Sequence, residues 1–232
     1  LLNADFSQIS NLTLSVSVAS GSFFALAGIS LYKAFIIGPI KLVAPIVGGY
    51  PVFSLIFSSL NGNLPNGIQV GAVIIIVICA GYVAASKEEN EGALANKKSA
   101  ILWAVLSSFG FASSFALGQY ASNLSDQYAL LLPNRISGLI ALILIAKYLN
   151  KPIVPDLSEW RIFALMALLD AVAQGFVISS GKLEFPVYAS ISASLFGLVT
   201  ILLAAFFLRE KISSKQWIAI LLVFVGLTIL SY

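Results

Sequence analysis

The sequence predicts an all-α integral membrane protein with eight transmembrane helices. Hydrophobic residues make up 59% of the 232 residues and charged residues only 10%, and the mean hydropathy is +0.97. A soluble chain of this length could not enclose so much apolar surface. The apolar residues also fall in runs of about 20, the length that an α-helix needs to cross a hydrocarbon core about 30 Å thick. The lipid bilayer is therefore the predicted surroundings of most of the chain.

Charged residues and turn-forming Pro, Gly and Asn separate the apolar runs. The eight runs are 14–32, 40–60, 67–86, 99–119, 128–147, 161–180, 187–208 and 216–231. Val187 to Leu208 contains no ionisable side chain that is charged at neutral pH, so this run is apolar enough to span the membrane. Ser213 is a predicted N-cap for the last helix, and Trp217 stands where an aromatic ring prefers the membrane interface.

The longest polar break is KEENEGALANKK, residues 87–98. Its clustered Glu residues and its Gly, Ala and Asn are typical of a solvated loop. We expect this loop to link two halves, 1–86 and 99–232. Each half is predicted to be one copy of a repeat.

An offset of 147 residues supports the repeat, because it places Pro39 on Pro186 and Gln69 on Gln216. The same offset aligns the first three apolar runs with the last three. Identity between the halves is low, so the shared boundaries and punctuating residues carry the prediction.

The last two runs resemble the end of an EamA-type repeat, from the ten-helix branch of the drug/metabolite transporter superfamily. The resemblance rests on Pro186 before an apolar helix, on Glu210 within Arg-Glu-Lys-Ile, on Gln216 before Trp and on Gly226 in the last helix. It implies a transporter rather than an enzyme. One departure is Asn63, which occupies the position of Glu210 in the first half.

The resemblance also implies five helices in each of two repeats. The runs 99–119 and 128–147 have no partners in the first half, so we expect this chain to lack the first two of ten helices. Repeats with an odd number of spans insert in opposite senses, which predicts an inverted 5+5 architecture.

Positive charge predicts the orientation. With eight spans, the loops on one side of the membrane hold eleven of the thirteen Lys and Arg residues. The positive-inside rule places that side in the cytoplasm and both ends of this chain outside. The resemblance implies the opposite, with cytoplasmic ends, and we follow the charges.

Composition excludes several kinds of site. The sequence has no His, and its one cysteine, Cys79, lies inside an apolar run, so we expect no metal site, no cofactor and no disulfide. The net charge of +3 is small, and the basic residues lie mainly at the ends of the predicted helices. Nucleic acid is therefore not an expected partner.

Arg135 and Asp170 are the most informative candidates, because both fall near the middle of apolar runs. An isolated charge at that depth costs about 2.5–3.5 kcal/mol on insertion scales, so each needs a partner or a watery cavity. They either pair to hold two helices together or line a transport path. In the path, Arg135 would attract an anionic group, and Asp170 a cationic group or a coupling proton.

Gln174 follows Asp170 by one turn, so its amide is expected on the same helix face, as a pathway group or as a link between helices. The repeat sets Gly49-Tyr50 opposite Phe196-Gly197 near the midplane. These pairs indicate an aromatic-lined pocket or ordinary close packing of small residues.

Lys41 lies at the start of an apolar run. Its side chain is expected either to extend to the membrane interface or to contact substrate.

These features favour a secondary transporter, with export of small polar metabolites such as amino acids as its expected task, in the plasma (inner) membrane. The expected mechanism is alternating access around a midplane cavity, with protons as candidate coupling ions. A nucleotide-sugar or sugar-phosphate exchanger is the alternative transporter, and it needs more basic residues in the cavity. A non-transporting membrane scaffold or receptor is the alternative of another class.

Overall fold

The computed structural model describes residues 9–60, 64–85, 94–151, 158, 160–183 and 186–230. These residues form ten α-helices and a short 3-10 turn at Ser180–Lys182, and no β-strand lies among them. The helices are α1 (Asn11–Ile37), α2 (Ile40–Gly48), α3 (Tyr50–Leu60), α4 (Gly67–Ala85), α5 (Leu94–Leu124), α6 (Gln127–Tyr148), α7 (Trp160–Ser179), α8 (Val187–Ser194), α9 (Phe196–Phe207) and α10 (Ser214–Ile229). The predicted all-α integral membrane fold is confirmed.

Among the described residues, each predicted apolar run is mainly helical, but the helical stretches differ in length. Within the described ranges, six helical stretches are long and apolar enough to cross a membrane. They are Asn11–Ile37, Ile40–Leu60, Lys97–Leu124, Tyr128–Tyr148, Trp160–Lys182 and Ala189–Phe207. Two apolar helical stretches are shorter, Gly67–Val83 within α4 and Ser214–Ile229, which is α10. Ser214–Ile229 has 16 residues and extends about 24 Å, less than a hydrocarbon core of about 30 Å.

Two of the predicted spans are interrupted near their middle. The first breaks at Gly49, between α2 and α3, where the Gly49 N–H bonds the carbonyls of Pro45 and Ile46 at 3.1 and 3.2 Å. Pro51 follows and has no N–H to donate, which leaves the carbonyl four residues earlier without its helical partner.

The second break falls at Leu195, between α8 and α9. The Ser194 hydroxyl donates to the Ile191 carbonyl at 2.6 Å, and this carbonyl is the one that the Leu195 N–H would bond in a regular helix. The Leu195 N–H instead bonds Ser192 O at 3.3 Å. A competing side-chain donor therefore interrupts this helix without a proline.

Contacts divide the chain into two compact units. The first unit contains Leu1–Leu26 and Ser114–Ala189, and the second contains Ala27–Ser113 and Ser190–Tyr232. Helices α1 and α5 each contribute to both units.

Small polar residues hold the first unit together. Ser17 Oγ donates to Leu130 O at 2.9 Å, and Ser20 Oγ donates to Ser114 O at 2.7 Å. Asn134 Nδ2 donates to Ser20 Oγ at 2.8 Å, so α1 is bonded to both α5 and α6. Such close, hydrogen-bonded helix contacts are typical of membrane proteins, where hydrophobicity alone does not bring helices together.

Glycine brings helices close in the second unit. A Cβ on Gly197 of α9 would lie 2.8 Å from the Ala44 carbonyl oxygen of α2, and one on Gly226 of α10 would lie 2.8 Å from Ile76 of α4. The pairs α2–α9 and α4–α10 therefore pack closely along their lengths.

Helices α4 and α10 begin with the same pattern of hydrogen bonds. Ser213 accepts from the Gln216 N–H at 3.3 Å, and Gln216 Oε1 accepts from the Ser213 N–H at 2.9 Å. Asn66 and Gln69 make the same reciprocal pair at 2.8 and 3.0 Å. The predicted N-cap at Ser213 is confirmed as half of a capping box.

The predicted loop 87–98 differs from the structure at its end. Helix α5 begins at Leu94, so residues 94–98 are helical, and residues 87–93 lie outside the described residues. Leu, Ala and Lys are good helix formers, and they extend α5 beyond the apolar run.

Candidate functional site

Arg135 and Asp170, which lie in two candidate membrane spans of the first unit, form an ion pair. Arg135 Nη1 on α6 donates to Asp170 Oδ2 on α7 at 2.8 Å. Arg135 Nη2 donates to the main-chain carbonyl of Asp170 at 3.1 Å. The guanidinium thus spans the carboxylate and the backbone of one residue, which fixes its plane.

The ion pair is only partly enclosed. The side chains of Arg135 and Asp170 are 33% and 49% exposed. On one side the Arg135 guanidinium carbon lies 5.3 Å from the centre of the Phe24 ring, and Phe24 contacts Phe115 at 6.3 Å between ring centres. The ion pair is therefore covered by aromatic rings on one side and exposed on another. Another charged group can reach it from the exposed side.

Gln174, one turn after Asp170, has the opposite environment. Its side chain is 3% exposed, and within the described residues neither its amide nitrogen nor its amide oxygen has a hydrogen-bond partner. A buried polar group without a partner costs about 1–3 kcal/mol, so native proteins rarely leave one unsatisfied. The amide has one acceptor and two donors available for a ligand or water.

An aromatic group assembles in the second unit. The rings of Tyr50 and Phe196 both contact Phe111 of α5, at 6.3 and 6.5 Å between centres. The Tyr50 hydroxyl donates to the main-chain carbonyl of Ser190, and Tyr50 is 1% exposed. This hydrogen bond therefore joins Tyr50, the residue after the break at Gly49, to α8, the helix before the break at Leu195.

The glycines of the predicted pocket serve packing and backbone geometry. Gly49 occupies the break between α2 and α3, and Gly197 allows α9 to approach Ala44. Gly48 does the same from the other side, where a Cβ would lie 3.1 Å from Ser194 O. Of the two expected roles, pocket lining and close packing, the contact of Gly197 with Ala44 is close packing.

Lys41 lies at the start of α2 and contacts the loop after α9. Its main-chain N–H donates to Glu210 Oε2 at 3.1 Å, and its Nζ donates to Lys211 O at 2.9 Å. Both of these hydrogen bonds join Lys41 to other residues of the protein.

The eight predicted site residues fall into two sets. Arg135, Asp170 and Gln174 belong to the first unit, and Lys41, Gly49, Tyr50, Phe196 and Gly197 belong to the second. Sequence reasoning missed Phe111, because one Phe in an apolar run gives no signal. It also missed the partner of the Tyr50 hydroxyl, because a backbone carbonyl leaves no trace in the sequence. Among the described residues, no three Cys, Asp or Glu side chains cluster as metal ligands would.

Comparison with known proteins gives a family for more than half of the chain. The model of the EamA-like transporter family matches residues 98–232. No curated protein matches the chain. The family match accords with the helical membrane fold and with the motif around Glu210. The chain therefore belongs to the EamA-like transporter family and is a multi-pass membrane transporter.

Proposed function

We propose that this transporter exports small polar metabolites, such as amino acids, across the plasma (inner) membrane by alternating access. Substrate would contact the ion pair and the buried amide of the first unit. The coupling ion in this proposal is the proton, carried by the Asp170 carboxylate.

The observation that carries the proposal is the half-exposed ion pair within membrane-spanning helices. Arg135 lies in Tyr128–Tyr148 and Asp170 in Trp160–Lys182, both of which are candidate spans. A charged surface that faced lipid would be costly at this depth. The exposed side of the pair is therefore best explained by water in a transport path.

Three groups of α6 and α7 suit a solute that carries both charges. Arg135 can bind a carboxylate, Asp170 can bind an ammonium group, and Gln174 can donate and accept hydrogen bonds. A zwitterion could exchange its own charges for those of the ion pair, so neither protein charge would be left unpaired.

The charges do not favour a nucleotide-sugar or sugar-phosphate exchanger. Phosphate groups require an excess of cationic donors. Arg135 is neutralised by Asp170, and the ammonium group of Lys41 bonds the Lys211 carbonyl in the other unit.

The test is a comparison of metabolite release from cells that do and do not express the protein. The cells are loaded with the twenty proteinogenic amino acids, and the medium is measured by mass spectrometry over time. We expect faster release of at least one amino acid with the protein present. Equal release of all twenty, with the protein shown to be in the membrane, would reject the proteinogenic amino acids as its substrates.

A further inference from the structure

The start of α2 is bonded to a distant part of the chain. Glu210 Oε2 accepts the Lys41 N–H at 3.1 Å, and the Lys211 carbonyl accepts the Lys41 Nζ at 2.9 Å. These partners are 169 and 170 residues apart in sequence, and both bonds lie within the second unit. One lysine thus ties the first turn of α2 to the loop between α9 and α10.

Helix α2 has no cap of its own. Its N-cap residue is Pro39, which has no side-chain hydrogen-bonding group. The Pro39 carbonyl accepts the amides of Leu42 and Val43 at 3.1 Å, which leaves the Lys41 amide for another acceptor. The carboxylate of Glu210 is that acceptor, and a negative charge at a helix N-terminus is also favoured by the helix dipole.

The turn that presents Glu210 is fixed by its own backbone. Arg209 has a φ of 52°, the left-handed conformation that often ends a helix. The Glu210 N–H then bonds the Ala204 carbonyl of α9 at 3.3 Å. Because these contacts involve only the main chain, a substitution of the Glu210 side chain leaves the turn intact.

Helix α2 is a half-helix held at both ends. Its first turn is bonded to Glu210, and its last residue, Gly48, lies against Ser194 O just before the break at Leu195. Tyr50, directly beyond the end of α2, bonds the Ser190 carbonyl. Two hydrogen bonds at Lys41 therefore attach the N-terminal end of α2 to the loop between α9 and α10.

We propose that Glu210 is a positioning residue for transport, whose carboxylate holds the N-terminal end of α2 in one conformation and releases it in the other. This inference rests on the proposed alternating access. At the offset of 147 residues, Glu210 corresponds to Asn63 and Lys41 to Tyr188. Asn63 cannot ionise, and a tyrosine hydroxyl is ordinarily neutral at pH 7. The sequence therefore supplies charges for only one of the two contacts that the offset relates, Lys41 with Glu210 and not Tyr188 with Asn63. The latch thus favours one of the two conformations.

The test measures how often α2 opens, without a substrate. Leu42 is 2% exposed, so Leu42→Cys in a Cys79→Ser background reports opening through its rate of labelling by N-ethylmaleimide in nanodiscs. Glu210→Gln retains an acceptor but removes the charge. We expect it to raise the labelling rate about fivefold, because charge-assisted hydrogen bonds are roughly twice as strong as neutral ones.

Two controls show that the effect is local. Lys215→Gln removes an exposed charge from the first turn of α10, directly after the same loop, and is expected to leave the rate unchanged. Val223→Cys is a second reporter, 0% exposed in α10, and its labelling should not respond to Glu210→Gln. An equal rise at Val223→Cys would mean general loosening of the fold and would reject the latch.

Transport kinetics supply the second measurement. With the amino acid that wild-type protein exports fastest, Glu210→Gln is expected to change the maximum rate while the KM stays within about twofold, because the proposed substrate contacts belong to the first unit and Glu210 to the second. Unchanged labelling of Leu42→Cys in both Glu210→Gln and Glu210→Ala would overturn the proposal, even where export is normal. Faster labelling supports the latch even where no amino acid is exported, so the two proposals fail separately.

Discussion

Arg135 and Asp170 neutralise each other without being sealed from their surroundings. The guanidinium holds both the carboxylate and the main-chain carbonyl of Asp170, at 2.8 and 3.1 Å. Loss of the carboxylate charge would therefore leave Arg135 with a neutral acceptor in place. Because both side chains are also partly exposed, the pair contributes less to stability than a fully buried pair would.

Asp170→Asn tests whether this charge serves transport or only folding. We expect export to fall at least tenfold while the midpoint of thermal unfolding changes by only a few degrees. The control is Asp126→Asn, which makes the same chemical change at the N-cap of α6, where Asn caps as well as Asp.

The double change Arg135→Gln with Asp170→Asn removes both charges together. Loss of export in a stable double variant would support the path. Normal export in that variant would show that the pair only joins α6 to α7.

Tyr50→Phe tests the contact between the two helix breaks. The change removes one hydroxyl and its hydrogen bond to the Ser190 carbonyl, and it leaves the ring against Phe111. Loss of a buried hydrogen bond typically costs about 0.5–1.5 kcal/mol, so the unfolding midpoint should drop by a few degrees. Tyr128→Phe is the matched control, because Tyr128 is 48% exposed. Equal midpoints for the two variants would contradict the inferred role.

Single charges could be predicted from the sequence, whereas their surroundings could not. An ionisable residue in an apolar run must find a partner, and the pairing of Arg135 with Asp170 was one of two expected outcomes. The burial of Gln174 beside an exposed Asp170 depends on how α7 is rotated, and a helix that is apolar all round gives no such signal.

The start of α10 was the most predictable helix end, because its signal is local. Ser213 and Gln216 are three residues apart, which is the spacing of a capping box, and the structure forms both of its hydrogen bonds. The break at Gly49 follows from neighbouring prolines that the sequence shows directly. The break at Leu195 escaped prediction, because it depends on where one serine hydroxyl donates.

Gly197→Ala tests the close approach of α2 and α9. The added Cβ would lie 2.8 Å from the Ala44 carbonyl oxygen, a backbone atom that cannot move aside without shifting α2. We expect a loss of about 1–3 kcal/mol of stability, seen as a lower unfolding midpoint in detergent.

The matched control is Gly71→Ala in α4, where a Cβ would meet nothing within 4 Å. There the gain in helix propensity should raise stability by up to about 1 kcal/mol. A neutral or stabilising Gly197→Ala would mean that α2 and α9 are not tightly packed.

At the scale of the whole molecule, the offset of 147 residues aligns similar local structures as well as identical residues. The capping pairs Asn66–Gln69 and Ser213–Gln216 are related by this offset, and both form the same reciprocal hydrogen bonds. The breaks at Gly49 and Leu195 fall within one residue of equivalence. These matches support the repeat, while its inverted sense stays a prediction. The helices of 14–86 should superpose on those of 161–232 by rotation about an axis in the membrane plane.

Orientation is the last property that charge alone predicts. In a Cys79→Ser background, a cysteine replaces either Leu64, which is 83% exposed, or Lys215, an exposed lysine of the basic side. The positive-inside rule predicts that an impermeant thiol reagent labels the first in intact cells and the second only after the membrane is permeabilised. Labelling of Lys215→Cys alone in intact cells would show that both ends of the chain face the cytoplasm. The acidic residues near the basic loops would then have to count in the topology, contrary to the rule.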